Sequence, residues 1–567
     1  MVVTEVPASS ETLTPGEPPG GPVDRADAEA AEDAHLVRST AAMAVGTTLS
    51  RVTGFLRVAA MAFAIGVAES RLPDAYNVAN NIPNIVYELI LGGILTSVFV
   101  PVFVHQMTSR SREEAWRSAQ AVMTVTMIVL GVVMIAGILA APWIVKLYTV
   151  RVPAEARAEV QPLATFLLRF FMPQIALYGI GAVATGLLNA HRRFAVPMFA
   201  PILNNLVVIG SFLLFALLPT PGAGDPSPTN VSDVQRLVLA IGATAGVAAM
   251  TVALWPSLRR IGFRFRWRAD WRNEAVRRLV RLSGWAVLYV VVNQIGLLFV
   301  IILAGAERGG YAAYQAAFIF FQLPHAIFAV SIMTALLPSL SEDWVRQDRA
   351  DFRRDLARGL RASAFVVVPA AAGYLVLSEP IVRLLLQHGV ATARSTELVA
   401  GVLTFFAIGL FPFSAFMLFL RAFYAMQDTR TPAVINIGAV GVNIAVNFAL
   451  FPVLGVRGLA LGLAIAYAVA SLTAGVILRR RLGGLDGKAL ARSLVRIGAA
   501  AALTGAAAWG AARLMSETLG ADTFGEQLIQ VGAGVLAGII IFVGAALLFR
   551  MEEFTLVRRT LFARLRR

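Results

Sequence analysis

The stretch DAYNVANNIPNIVYELILGG, residues 74–93, opens with a carboxylate, carries four asparagines and a glutamate, and then runs into a strongly apolar segment. Asp74, Asn77, Asn81, Asn84 and Glu88 follow one another at intervals of three and four, so on a helix they share one face. Backbone in a bilayer must satisfy its own hydrogen bonds, which makes this segment a helix. A polar stripe on a membrane helix must face a bundle interior or an aqueous cavity rather than lipid.

The rest of the chain supports the membrane reading. Of its 567 residues 57% are hydrophobic and only 15% are charged, with a mean hydropathy of +0.71, well beyond what a water-soluble domain carries. There is no cysteine, so disulfides and thiolate metal sites are excluded, and the five histidines, His35, His105, His191, His325 and His388, are too scattered to form a zinc motif. No nucleophile elbow, P-loop or dinucleotide fingerprint occurs, and an enzyme is not expected. The sequence class is an all-α polytopic membrane protein.

A helix needs roughly 20 apolar residues to cross the hydrocarbon core. Such segments are placed near residues 40–66, 76–104, 118–144, 162–189, 197–218, 236–256 and 283–305. Seven more follow near 313–339, 361–386, 398–423, 433–453, 457–478, 493–514 and 527–549, giving about fourteen spans. Their loops alternate in charge. SLRRIGFRFRWRADWRNEAVRRLVRL (257–282), EDWVRQDRADFRRDLARGLR (342–361) and RRRLGGLDGKALAR (479–492) are rich in arginine, whereas PTPGAGDPSPTNVSD (219–233) and SETLGADTFGEQ (516–527) contain no Lys or Arg. Because short cytoplasmic loops collect basic residues, both termini are expected on the cytoplasmic side of the membrane. The net charge of +15 therefore sits where it sets topology and meets anionic headgroups, and no nucleic acid is expected as a partner. Residues 1–38, rich in Pro, Gly, Ala, Asp and Glu, read as a disordered acidic cytoplasmic tail, not as a cleaved signal peptide.

Two motifs recur. Ala190 and Pro197 of NAHRRFAVP are spaced like Ala425 and Pro432 of YAMQDTRTP, and NIPNIVYELILGGILTSVFVPVF echoes QLPHAIFAVSIMTALLPSLS. The offsets between copies nearly agree, which divides the chain into two related six-helix lobes. The expected organisation is an N-lobe at 39–258, a basic cytoplasmic linker at 259–282, a C-lobe at 283–480, two added helices at 481–550 and a basic cytoplasmic tail at 551–567.

Ionisable residues at membrane depth cost roughly 2.5 to 3.5 kcal/mol each on insertion scales, so the few present are informative. SRVTGFLRV places Arg51 and Arg57 deep in the first span, about 9 Å apart along the helix but not on one stripe. Arg169 precedes Pro173 in span four, and Arg421 ends span ten. Each has a plainer role available: Arg421 snorkelling to the interface, Asp74 capping a helix, the asparagines acting as interhelical glue. Arg51 and Arg57 fit an anionic ligand better, because the planar guanidinium stays charged and binds phosphate oxygens in pairs. The sequence points to a cavity between two lobes, cationic from span one and polar from span two.

In order along residues 40–550, SRVTGFLRV, DAYNVANNIPN, FVPVF, LLNAHRRFAVPMFAPILNN, LLPSLS, LLLQHG and FYAMQDTRTP resemble the MviN/MurJ lipid II flippases of the multidrug/oligosaccharidyl-lipid/polysaccharide exporter superfamily. The resemblance implies fourteen helices, with two six-helix lobes in a V around a central cationic cavity and two C-terminal helices bordering a groove for a polyprenyl tail. It also implies transport of undecaprenyl-pyrophosphoryl disaccharide-pentapeptide, lipid II, from the inner to the outer leaflet for peptidoglycan synthesis. Carried over by position, Arg51, Arg57, Asp74, Asn84 and Arg169 match family residues, while Asn77, Asn81 and Glu88 join the candidate cavity from the stripe. Two positions depart from the pattern: Tyr87 and Glu88 stand where some members have consecutive arginines, and Ile319 stands where some have another.

The leading expectation is thus a lipid II flippase working by alternating access, with lipid II and membrane lipids as partners and no cofactor. A coupling cation, the membrane potential, and contacts with cell-wall or division proteins stay open. The rivals are an ion-coupled drug or polysaccharide-lipid exporter of the same superfamily and a non-transporting scaffold for cell-wall enzymes, which would have no use for arginines buried in span one.

Overall fold

The computed structural model describes residues 46–88, 103, 112–222, 224–277 and 284–554. The expected tail at 1–38, the second half of span two beyond Glu88 apart from Phe103, part of the basic linker and residues 555–567 lie outside the described residues. The described chain is helical throughout. In order it forms α1 (Gly46–Ile65), α2 (Leu72–Glu88), α3 (Arg112–Tyr148), α4 (Ala154–Phe171), α5 (Gln174–Ala190), α6 (Ala195–Leu217), α7 (Asp233–Ala253) and α8 (Trp255–Arg260). Then follow α9 (Gly284–Ala304), α10 (Gly310–Pro324), α11 (Val330–Val345), α12 (Arg349–Leu386), α13 (Ala393–Ala425), α14 (Arg430–Leu454), α15 (Val456–Leu482), α16 (Gly487–Leu519) and α17 (Phe524–Leu548).

Thirteen helices among the described residues are long and apolar enough to cross a membrane, each overlapping an expected span. Three of them are joined from shorter pieces. α4 and α5 meet at Pro173, whose ring cannot continue the hydrogen-bond ladder; α7 runs into α8; and a π-helical turn, His325–Ala329, links α10 to α11 directly after Pro324. The remaining expected span begins as α2, which has 17 residues and contains Pro83. Ends are set locally. Ser232 with Gln235, and Thr523 with Glu526, form reciprocal capping boxes at the starts of α7 and α17, and Gly483, at φ 71°, ends α15 in the left-handed conformation.

Helices α1 to α8 pack as one half of the molecule. Tyr76 of α2 meets Phe171 of α4 and Phe212 of α6 edge-on, with ring centres 5.5 and 5.2 Å apart, which fixes α2 against this half. Helices α9 to α15 form the other half around Tyr311, Phe320, Phe321, Phe406 and Phe416, and this core also takes in Val58, Ala62 and Val78 from α1 and α2. The last two helices, α16 and α17, pack on each other through small residues: a Cβ on Gly534 would lie 3.0 Å from the Ala508 carbonyl, and one on Gly538 would lie 3.3 Å from Thr504 Cγ2. Apolar burial gains little inside lipid, so such close backbone approach is what holds two membrane helices together.

Candidate functional site: a cleft between the lobes and the seam above it

Between the two halves lies a cleft of about 750 Å³. Arg51, Arg57, Asn77, Asn81, Asn84 and Glu88 line it from one side, together with Asn80 and Tyr87. Arg51 and Arg57 both line it although they sit on different stripes of α1. Neither has an ion-pair or hydrogen-bond partner among the described residues. Asn205 of α6 holds α1 in place: its amide donates to the Thr53 hydroxyl at 3.0 Å and to the Ser50 carbonyl at 3.2 Å, beside Arg51. Asn84 accepts from the Tyr178 hydroxyl at 2.8 Å, so its oxygen faces α5, and its amide donates to the Asn80 carbonyl. Arg57 and Asn84 also line a smaller adjoining recess of about 210 Å³ that extends toward Asn204 and Asn205.

The opposite wall is made of amides and aromatics that the sequence reading did not single out: Asn293, Gln294, Gln315, Gln322, Tyr314 and Tyr467, with Asn436 and Asn443 from α14. Their signal was available as lone amides inside apolar runs, in VVVNQIG and AAYQAAFIFFQLP. Ile319 also lines the cleft and adds no charge there. Glu88 crosses the cleft. It accepts from Gln294 Nε2 at 2.7 Å and has no cationic partner among the described residues.

Two of the expected cavity residues lie elsewhere. Asp74 lines neither cavity; it is buried at the start of α2 and accepts from the backbone N–H groups of Gly309 at 2.8 Å and Ala312 at 3.1 Å, capping α10 from the other half of the molecule. Arg169 is absent from both linings as well and occupies a separate recess on the outer face, between α3 and α4.

Asp74 belongs to a seam that closes this end of the cleft. Glu69, in the α1–α2 connection, accepts from Val67 N, Thr392 N, Thr392 Oγ1 and Ser395 Oγ at 2.7 to 2.9 Å. Burial alone would raise its pKa, but these donors hold the carboxyl below the usual glutamate value. Arg71 donates to the Gly305 carbonyl at 3.0 Å, and Val390 N donates to the Phe63 carbonyl at 3.0 Å. Two glycines make the approach feasible. Gly309 (φ 73°) and Gly389 (φ 63°) adopt left-handed backbone, and a Cβ on either would come within 2.4 Å of a carbonyl oxygen of the opposite half.

Comparison with known proteins agrees with this architecture. Residues 61–547 match the family model described as lipid II flippase MurJ. A protein of Rhizobium meliloti named probable lipid II flippase MurJ is 31% identical over 425 residues, covering 75% of this chain and 77% of the relative. The lipid II flippase MurJ of Burkholderia cenocepacia is 28% identical over 449 residues, 79% of this chain and 84% of that one. Among solved structures, a lipid II flippase MurJ in an inward closed conformation superposes with a TM-score of 0.72 at 22% identity, covering 90% of this chain and 98% of the other. An inward-facing multidrug resistance transporter of the MATE family and the MOP superfamily follows at 0.61 and 13% identity, which speaks for the shared fold alone. With the family model covering most of its length and relatives aligned across three quarters of it, this multi-pass membrane chain belongs to the MurJ lipid II flippase family.

Proposed function

We propose that the protein is a transporter, not an enzyme, that moves lipid II between the leaflets of the bacterial cytoplasmic membrane by alternating access, with the diphosphate held in the central cleft by Arg51 and Arg57. The observation that carries the binding role is that both guanidinium groups line one cleft between the lobes without a carboxylate partner among the described residues. Arg57 is half-buried, and such an arginine is stable only when something answers its charge; an incoming diphosphate does so with charge-assisted, paired hydrogen bonds, with the more exposed Arg51 beside it. The amides of Asn77, Asn81 and the facing α9, α10 and α14 wall supply neutral donors and acceptors for sugar hydroxyls and peptide groups. The arginine-rich connections support cytoplasmic termini, which places the Glu69 and Asp74 seam toward the exported side and makes the arrangement a closed outer gate.

The experiment is rescue of cells depleted of their own lipid II flippase, with precursor measured in each leaflet. The wild-type chain restores outward precursor; Arg57→Ala, at normal membrane abundance, loses it by roughly 30- to 100-fold, and Arg57→Lys recovers part because an ammonium cannot reproduce the planar fork. Wild-type flipping by correctly inserted Arg57→Ala would overturn the cationic-cleft mechanism. Rescue accompanied by drug export and no movement of precursor would overturn the assignment of substrate.

A further inference from the structure

Arg169 lies 15 residues into α4, on a part of the helix exposed on the outer face of the lobe, and no ion pair or hydrogen bond to its guanidinium is present among the described residues. The first turns of α4, AEARAEV, are polar, and the apolar run starts at Leu163. Arg169 is six residues further on, about 9 Å deeper along the helix. Helical side chains lean toward the helix N-terminus, so the guanidinium is carried back up toward the membrane surface. Lys146, one of only two lysines in the chain, sits in the last turn of the antiparallel α3. Both line a recess of about 330 Å³ together with Gln161, Thr165, Pro142 and Phe166.

This recess has two cations, an amide, a hydroxyl and no carboxylate among its lining residues. Below it the surface is apolar: Phe166 and Phe170 pack with ring centres 4.8 Å apart, and Trp143 is 68% exposed on the same lobe. Snorkelling alone would account for one long basic side chain near the interface. Two, converging from antiparallel helices on one recess at headgroup depth, fit a shared anion. A soluble anion would have no use for the apolar floor, whereas a phospholipid presents a phosphate at that depth with acyl chains directly beneath it.

We infer that the α3–α4 recess is a binding site for an anionic phospholipid of the leaflet next to the Glu69 seam, its phosphate held by Lys146 and Arg169 and an acyl chain lying along Phe166 and Phe170. The site is separate from the central cleft and independent of what that cleft carries. Lipid bound there fastens α3 to α4, and α4 is one of the helices that back α2 through Tyr76 and Phe171.

The test is native mass spectrometry and thermal unfolding of the purified full chain with phosphatidylglycerol, phosphatidylethanolamine or lipid II added. The expected result is retained phosphatidylglycerol and a raised Tm for the wild type. Apparent affinity should weaken about tenfold or more in Arg169→Gln and in Lys146→Gln, with partial retention in Arg169→Lys. Equal phosphatidylglycerol retention in wild type and both variants overturns the site. Loss of lipid II with phosphatidylglycerol unchanged overturns the occupant in favour of the substrate. Arg169→Leu separates a folding defect from a ligand defect: if the leucine variant melts at or above the wild type and still gains the same Tm from phosphatidylglycerol, Arg169 only snorkels and the inference is wrong.

Discussion

The two ends of α2 meet the opposite lobe in contrasting ways. At its start, Asp74 and the neighbouring Glu69 and Arg71 dock onto backbone groups of Gly309, Ala312, Thr392 and Gly305, and two left-handed glycines let the main chains nearly touch. At its far end, among the described residues, a single hydrogen bond from Gln294 to Glu88 crosses a cleft of about 750 Å³. The first contact uses backbone donors with one fixed geometry, and so has a made and an unmade state with little between. The second uses two long side chains that can follow modest motion. A seam of the first kind can serve as a gate; the second kind suits the wall of a cavity that must accept cargo of varied shape.

The largest expected effect is at the gate. Asp74→Ala leaves the Gly309 and Ala312 N–H groups without their acceptor and removes a charge from the start of α10, a loss of roughly 3 to 5 kcal/mol from the closed seam, taking each charged hydrogen bond at its usual worth. Spin labels on cysteines at the exposed Val150 and Val453, in this naturally Cys-free chain, should report a longer and broader distance distribution in Asp74→Ala than in the parent. An unchanged distribution would show that the glycine contacts alone keep the lobes together. Gly309→Ala probes that alternative: an added Cβ 2.4 Å from the Val67 carbonyl must push the halves apart with Asp74 intact.

Glu69 should matter less, and its contribution should be lost only under acid. Its pKa is held below the usual value of roughly 4.3 by the donors from Thr392, Ser395 and Val67, against the opposing effect of burial. A carboxyl depressed in the closed seam stabilises it above the unperturbed pKa, and that contribution drains away as pH falls through the depressed value. The 150–453 distance should therefore be flat from about pH 8 to 5 and widen only below about pH 4. Glu69→Gln should widen it modestly at neutral pH and flatten the acid response. A transition near pH 6 would assign the gate to a different group.

How much of this contrast was readable beforehand differs by residue. The spans were legible because twenty apolar residues in a row have few other uses, and the repeat of Pro-flanked motifs pointed to two lobes. The stripe from Asp74 to Glu88 gave a face but not what covers each part of it: Asn77, Asn81, Asn84 and Glu88 look into the cleft, while the same face one turn earlier is capped by α10. Glu69 left no periodic signal because it lies in a short connection, and its partners in the opposite half, Thr392 and Ser395, are more than 300 residues away. Arg169 could be placed in depth by counting along its helix, but its side of the helix depended on how α3 and α4 pack.

The smallest effect on the seam, and the most informative about the cleft, belongs to Glu88. A carboxylate in the cleft has two roles available: neutralising an arginine in the empty cavity, or binding a coupling cation. Its partner among the described residues is the neutral amide of Gln294 rather than an arginine. A carboxylate only accepts, so Gln294 must offer it the NH2 group. Glu88→Gln keeps the shape and one hydrogen bond to Gln294, and should change the lobe-to-lobe distance hardly at all, by about 1 kcal/mol or less of closure energy. If the charge is incidental, flipping stays near the parent rate. If the charge answers a coupling cation, lipid II still binds at the parental affinity while flipping falls, and the residual rate no longer responds to sodium or to an imposed pH gradient. Measuring binding and flipping on the same preparation separates the two outcomes. A loss of lipid II binding in Glu88→Gln would exclude both and make the carboxylate a direct contact to the cargo, turning the loosely bridged wall of the cleft into part of its recognition surface.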